Sequence, residues 1–222
     1  MNWTDKIQVY NEDCMETIAR YEDNYFDLAI VDPPYGIGEH AQRNHTGDRP
    51  TAKWKNAKSN KYKIFNDNNS PTKEYFQELF RVSKNQIIWG ANNFTNYLPP
   101  STGWIIWDKK VNEKEHLSMC ELAFTSFKIR ALKFEFLWAG FKKQIQEQRI
   151  HPTQKPVALY NWILDRYAKP DFKILDTHLG SGSHAIACHH YGCELVAAEL
   201  DTDYYNDSHK RFILNTAQQK LF

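Results

Sequence analysis

The chain is poor in cysteine and has no long apolar run. Its four cysteines, Cys14, Cys120, Cys188 and Cys193, form no CxxC pair and no dense framework. Disulfide stapling is therefore excluded as the basis of the fold, and reduced thiols in a cytosol-like compartment are expected. No stretch approaches the ~18 apolar residues that a membrane span needs, the opening MNWTDKIQVYNED has no apolar signal core, and the mean hydropathy is −0.69. A cytoplasmic protein with no membrane partner is the expectation. The cluster CHHYGC, Cys188 to Cys193, holds ligand-type residues. Cys188, His189 and His190 are adjacent on a predicted helix, however, and point in different directions, so no metal site is assigned. Internal repeats and low-complexity tracts are absent as well.

What is present is enough for one large domain: 222 residues, 41% of them hydrophobic. The net charge is only +1, but it is unevenly placed. Between Glu39 and Lys63 seven basic residues (Arg43, Arg49, Lys53, Lys55, Lys58, Lys61 and Lys63) face two acids, Glu39 and Asp48. Such segregation suits a polyanion-binding loop, and the interleaved His40, His45, Trp54 and Tyr62 include rings able to stack on bases. A solvated insertion has the same composition, so both readings stay open here. The polar stretch 39–69 is too long for an ordinary connection.

Outside that stretch, apolar runs alternate with helix-period segments, which predicts an α/β fold with a mainly parallel sheet. Strands are expected at 7–10, 26–31, 85–90, 104–108, 121–127, 134–138, 173–178 and 194–200. Ser70-Pro71 reads as a capping residue followed by proline in the first helical position, opening PTKEYFQELFRV. Pro156 opens a second helix, in which Val157, Tyr160, Leu164 and Tyr167 recur at helical spacing. A third runs from Ser183 to near Gly192, and a fourth from about Asp203.

Two turns carry the chemistry. In the first, FKILDTHLGSGSHAIACHHYGCELVAAELD, a strand feeds a glycine turn and a helix, and the next strand ends in Glu199. Gly180, Gly182 and Ala185 fit G-x-G-x-x-A, and a carboxylate nineteen positions after Gly180 suits ribose hydroxyls, so an adenosine-containing cofactor is inferred. Only 23 residues follow Glu199, so the remaining strands must come from the N-terminal side in a permuted order. That order counts against a nicotinamide-dependent oxidoreductase. In the second turn, AIVDPPYGIG, Asp32 and Pro33 each precede a proline and are biased to extended geometry. The result is a stiff turn of acceptors at a strand's carboxyl end. The Asp32 carboxylate and Pro33 carbonyl could accept the N–H groups of an exocyclic base amine while Tyr35 stacks on a flipped-out base. A plain Pro-Pro turn fits the tetrapeptide equally well.

Taken together and in order, DPPYG after an apolar strand, HPTQKP at His151 to Pro156, and LDTHLGSGS at Leu175 to Ser183 resemble the circularly permuted (β-group), phage-type DNA amino-methyltransferases. IIWGANNF, WIIWDKK and CELAFTS extend the resemblance over nearly the whole chain. It implies a Rossmann-like methyltransferase fold, circularly permuted, with a mixed, mainly parallel sheet and helices on both faces. It also implies S-adenosylmethionine (SAM) as cofactor, double-stranded DNA as partner, and N6-adenine as target, with N4-cytosine or RNA methylation and a non-catalytic DNA-binding module as alternatives. Homodimerisation is left open. By this resemblance Asp32, Pro33, Pro34 and Tyr35 form the catalytic turn. Asp13 and Cys14 lie by the cofactor adenine and Glu199 by its ribose. Asp32, Asp176, the turn His178, Gly180, Ser181, Gly182 and Ser183, and the loop with Thr153 and Lys155 complete the cofactor site. The sequence departs from the family pattern in that His178 stands where phenylalanine is usual. Only 23 residues separate Phe127 from His151, which leaves a short recognition region at about 128–150 within one domain spanning 1–222. Lys142, Lys143 and Arg149 there are expected to assist the basic insertion in holding DNA phosphates. No Pro-Cys dipeptide occurs, which argues against the cysteine chemistry of carbon-5 cytosine methylation.

Overall fold

The computed structural model describes residues 1–36, 70–111, 118–139 and 142–217. The basic residues Arg43, Arg49, Lys53, Lys55, Lys58, Lys61 and Lys63 therefore lie outside the described residues. Ten strands and five α-helices appear in the order β1 Ile7–Tyr10, α1 Cys14–Ile18, β2 Leu28–Val31, α2 Lys73–Val82, β3 Gln86–Trp89, β4 Trp104–Asp108, β5 Cys120–Thr125, β6 Leu132–Glu135, β7 Trp138–Ala139, β8 Lys142–Lys143, α3 Val157–Tyr167, β9 Lys173–Asp176, α4 Ser183–Tyr191, β10 Glu194–Ala198 and α5 Thr202–Ala217.

Eight strands form one sheet in the order β1-β10-β9-β2-β3-β5-β4-β6. All neighbours pair in parallel except at β5, which runs against both β3 and β4. Helices cover both faces, so the central strands read as unbroken apolar runs rather than alternating ones. Leu28, Ile30, Ile87 and Trp89 point to the face packed by α3, α4 and Phe212 of α5. Ala29, Val31, Ile88 and Leu175 point to the other face, against Tyr75, Phe76, Leu79 and Val82 of α2 and Ile18 of α1. Each fully buried large side chain contributes roughly 1.5–3 kcal/mol, and Trp89, Trp107, Phe76 and Phe124 are all at most 1% exposed.

Three expectations need correcting. Helix α2 begins at Lys73 with Thr72 as its N-cap, so Ser70 and Pro71 precede the helix. The strand expected at 134–138 is two: β6 ends at Glu135, and Trp138 starts the small β7-β8 hairpin. The break lies at the buried Phe136, whose N–H donates to Asp108 O and whose carbonyl accepts from Trp107 Nε1. Helix α1 carries too little periodicity to be seen in sequence; Asp13 caps it by accepting the Met15 N–H at 2.8 Å.

The parallel order brings the carboxyl ends of β1, β10, β9 and β2 side by side, where open α/β sheets bind ligands. Because β5 is reversed, its first residues reach that same edge. At the end of β3, Gly90 has φ +66° and a Cβ there would overlap the Tyr35 ring. Gly90→Ala is therefore expected to destabilise the fold by about 1–3 kcal/mol, read as a lowered thermal midpoint; an unchanged midpoint would contradict this packing.

Candidate active site at the carboxyl edge of the sheet

One cavity of about 510 Å³ opens along this edge, within the usual range for small-molecule sites. Its walls are the turns that follow four neighbouring strands: Glu12, Asp13 and Cys14 after β1, Glu199 to Thr202 after β10, Thr177 to Ser181 after β9, and Asp32 and Pro34 after β2. The loop before α3 closes it with His151, Thr153, Gln154 and Lys155. The DPPY turn and the glycine turn, 148 positions apart at Asp32 and Gly180, thus share one cavity because β2 pairs with β9.

At the glycine turn, Glu199 accepts the Gly180 N–H at 2.8 Å and the Asp201 N–H at 2.9 Å, while Asn11 Nδ2 donates to the Glu199 carbonyl. Burial pushes the Glu199 carboxyl up to about 7, against the pull of those two amides. Gly180 has φ +54°, and a Cβ there would meet only the His151 ring at 3.9 Å. That is ordinary van der Waals contact, so glycine is required here by conformation and not by crowding. His151 is buried, takes Thr153 at Nδ1, and packs edge-on against Tyr204. His178 lies against Tyr75 and contacts Thr177 Oγ1 at 2.8 Å. Burial holds its imidazole down at about 4, so near neutral pH it is an uncharged aromatic ring, physically close to the phenylalanine of the family pattern. Burial, with Asp13 beside it, pushes the Cys14 thiol up to about 12 and leaves it unreactive.

Asp176, Gly182 and Ser183 stand behind the cavity wall, unlike the expectation from sequence. Asp176 accepts the His178 N–H at 3.0 Å and contacts His184 Nδ1 at 2.8 Å; it fixes the turn from below. Gly182, at φ +74°, packs on Ser208. Ser183 meets the buried Arg211, which also donates to the Ser181 carbonyl at 2.7 Å and to Glu147 at 2.8 Å.

At the other end of the cavity, Tyr35 O–H donates to Asp32 Oδ1 at 2.8 Å, and the Lys155 ammonium donates to Asp32 Oδ2. Tyr35 and Pro33 do not line the cavity themselves; the Tyr35 ring lies against Gly90 and edge-on to Phe94. Lys155 is 3% exposed and also pairs with Glu121 at 3.2 Å, and Lys109 approaches the other Glu121 oxygen at 2.5 Å. Burial pushes Asp32 up and Lys155 opposes it. Burial would also raise Glu121, but Lys155 and Lys109 overcome it and hold the carboxyl at about 2.

Between 128 and 150, two of the three expected phosphate contacts, Lys143 and Arg149, are otherwise engaged. Arg149 donates to the His151 and Pro152 carbonyls. Lys143 lies 4.8 Å over the Trp138 ring and donates to the Glu147 carbonyl, with burial pushing its pKa down. Lys142 contributes backbone to β8. Gln154 knits this region to the cavity: its carbonyl accepts from Trp138 Nε1, and its side chain bonds the Ile150 N–H and the Gln148 carbonyl. Glu121 and Tyr204 escaped sequence analysis, and His151 and Gln154 entered it only as part of the HPTQKP motif, without a role. For Glu121 the available signal was an acid heading a strand otherwise due for burial.

A mainly parallel, two-faced sheet with a ligand cavity across the carboxyl ends of its adjacent strands is the Rossmann-like fold of the SAM-dependent methyltransferases. The chain belongs to the N6/N4 DNA methylase family, whose profile, described as DNA methylase, matches residues 49–210. Among its curated relatives is the type II methyltransferase M2.MboI of Moraxella bovis, 22% identical over 93% of this chain and 87% of that protein. M2.LlaDCHI of Lactococcus lactis subsp. cremoris is 28% identical over 61% of this chain and 52% of its own length. Of the solved structures, the M1.HpyAVI–SAM complex aligns with a TM-score of 0.58 at 20% identity, over 92% of this chain and 99% of that one. The cytosine-N4-specific PvuII DNA methyltransferase aligns with a TM-score of 0.63 at 10% identity, over 94% and 87%. At these identities the solved structures establish the fold alone. No helix among the described residues is long and apolar enough to cross a membrane.

Because the folded-state pKa of Glu199 is raised from 4.5 to about 7, the protonated carboxyl stabilises the fold fully below about 4.5, and that contribution is lost as pH rises to about 7. Thermal midpoints of the ligand-free protein should show Glu199→Gln, which keeps a neutral group, gaining on the wild type as pH rises through this window. A gap independent of pH would refute the assignment.

Proposed function

We propose that this protein transfers a methyl group from SAM to the exocyclic N6 amine of adenine in double-stranded DNA, and that its strand order is the circularly permuted one of the β-group enzymes. The observation that carries the proposal is the common cavity of Asp32 and the Gly180 turn. It holds acids suited to ribose hydroxyls toward the β1 and β10 side, and a cation suited to a carboxylate, Lys155, toward the β2 side. The residues present fit the cofactor: the cavity runs over the Gly180 turn, and Asp13 and Glu199 on its walls offer acceptors.

SAM supplies an electrophilic methyl group on a sulfonium. The chain's part is to present the amine. An exocyclic base nitrogen has its lone pair delocalised into the ring and is a weak nucleophile. The Asp32 carboxylate, with about four lone-pair directions, can accept an N–H of the amine while retaining Tyr35 and Lys155, and the Pro33 carbonyl is expected to accept the other. Those two bonds turn the lone pair out of the ring plane and toward the donor, and positioning rather than a covalent enzyme intermediate lowers the barrier. Asp32 must be ionised to do this, so transfer falls as pH is lowered through its raised pKa. The 39–69 segment, with its seven basic residues from Arg43 to Lys63, is assigned to the DNA phosphates. Lys143 and Arg149 act within the recognition region as braces.

DPPY favours adenine over cytosine, since the cytosine-amino enzymes more often begin this motif with serine. Duplex DNA incubated with the enzyme and methyl-labelled SAM, then digested to nucleosides, should yield label in N6-methyladenine by mass spectrometry; label confined to N4-methylcytosine would overturn the adenine assignment. Asp32→Ala should lower transfer at least 100-fold, a loss of the size found when a positioned catalytic group is removed, and leave SAM binding by calorimetry within a few-fold. An active variant would remove Asp32 from the mechanism.

A further inference from the structure

The buried charges around Asp32 extend beyond the residues that touch a base or cofactor. Lys155 comes from the loop before α3 and has Asp32 on one side and Glu121 on the other. Glu121 is the second residue of β5 and pairs across the ladder with Trp107. The reversal of β5 carries this carboxylate to the edge where the parallel strands end, and Lys109, immediately after β4, meets it there at 2.5 Å while lying 5.0 Å over the Trp107 ring. The four groups form an alternating row, Asp32, Lys155, Glu121, Lys109, with no net charge when all are ionised.

We propose that Glu121 is a positioning residue for methyl transfer: it holds Lys155 between two carboxylates and cancels the ammonium charge beside Asp32. The inference rests on the methyltransferase function proposed above. As the amine nitrogen forms its bond to the methyl carbon, the carbon–sulfur bond breaks with its electron pair returning to sulfur as a neutral thioether, and nitrogen is positively charged until one N–H proton passes to solvent. A lone ammonium on Asp32 would oppose that charge in a site with little water, where Coulomb interactions are strong. Glu121 removes the opposition without giving up the cation that counters the effect of burial on Asp32. The groups facing Asp32 are Lys155, Glu121 and Tyr35, with Tyr75 and Tyr160 nearby and acting as uncharged hydroxyls near neutral pH.

Three proteins test this by single-turnover transfer of labelled methyl to duplex DNA across a pH series: wild type, Glu121→Gln, and Glu121→Gln combined with Lys109→Gln. Glu121→Gln should lower the plateau rate on the order of tenfold. It should also move the acid limb to lower pH, because an anion that raises the Asp32 pKa has gone. The double variant no longer strands the Lys109 ammonium but still leaves Lys155 alone on Asp32, so it should stay about as slow as the single one. A reduced plateau with an unmoved acid limb, or a double variant that recovers toward the wild-type rate, would overturn the proposal and leave Glu121 a structural residue. A wild-type protein with no transfer to DNA would instead overturn the methyltransferase function, so the two failures are distinguishable.

Discussion

The parallel pairing of β2 with β9 is the constraint on which the site depends. It is a short contact, Leu28 with Ile174 and Ala29 with Leu175, yet it joins the first part of the chain to the last and sets the DPPY turn beside the glycine turn. The nearness of Asp32 to the Gly180 turn follows from it. Apolar packing on both faces keeps the register: a slip of one residue would move Leu28 and Ile30 to the wrong face and expose the opposite set.

Polar groups around that junction divide into two mechanical roles. Glu199, Asp176 and Arg211 spend much of their hydrogen-bonding capacity on the backbone of the glycine turn or on residues next to it. They keep the turn in a conformation it would not hold alone, with Gly180 and Gly182 both at positive φ. Asp32, Lys155 and Glu121 instead spend theirs on one another, which sets the Asp32 carboxyl at the cavity wall beside a buried ammonium. Rigidity at one end and charge at the other are the two properties that a site for positioning a weak nucleophile needs.

Much of the fold was legible in sequence because both faces of the sheet are covered: β1, β4 and the helices at Val157, Ser183 and Thr202 fall where apolar runs, proline and glycine put them. What escaped has physical reasons. Helix α1 is five residues long, and nothing at that length has a period to detect. The split at Phe136 depends on the indole N–H of Trp107, a partner 29 positions away. Motif reasoning found Asp32, Lys155, Gly180 and Glu199, since short spacings carry them. It could not find Glu121, whose placement depends on strand reversal, nor foresee the role of Gln154 within HPTQKP or that Lys143 and Arg149 would engage neighbouring carbonyls.

The direction of β6 has an architectural corollary. Because β6 runs parallel to β4, the chain leaves the sheet at Glu135 already on the ligand side, and it must arrive at His151 on that same side. The described residues of the excursion between them join no strand of the eight-stranded sheet and are tethered at both feet beside the cavity. Longer or shorter versions could be exchanged there without re-threading a single strand, so this design lets that excursion vary while the cavity walls stay put.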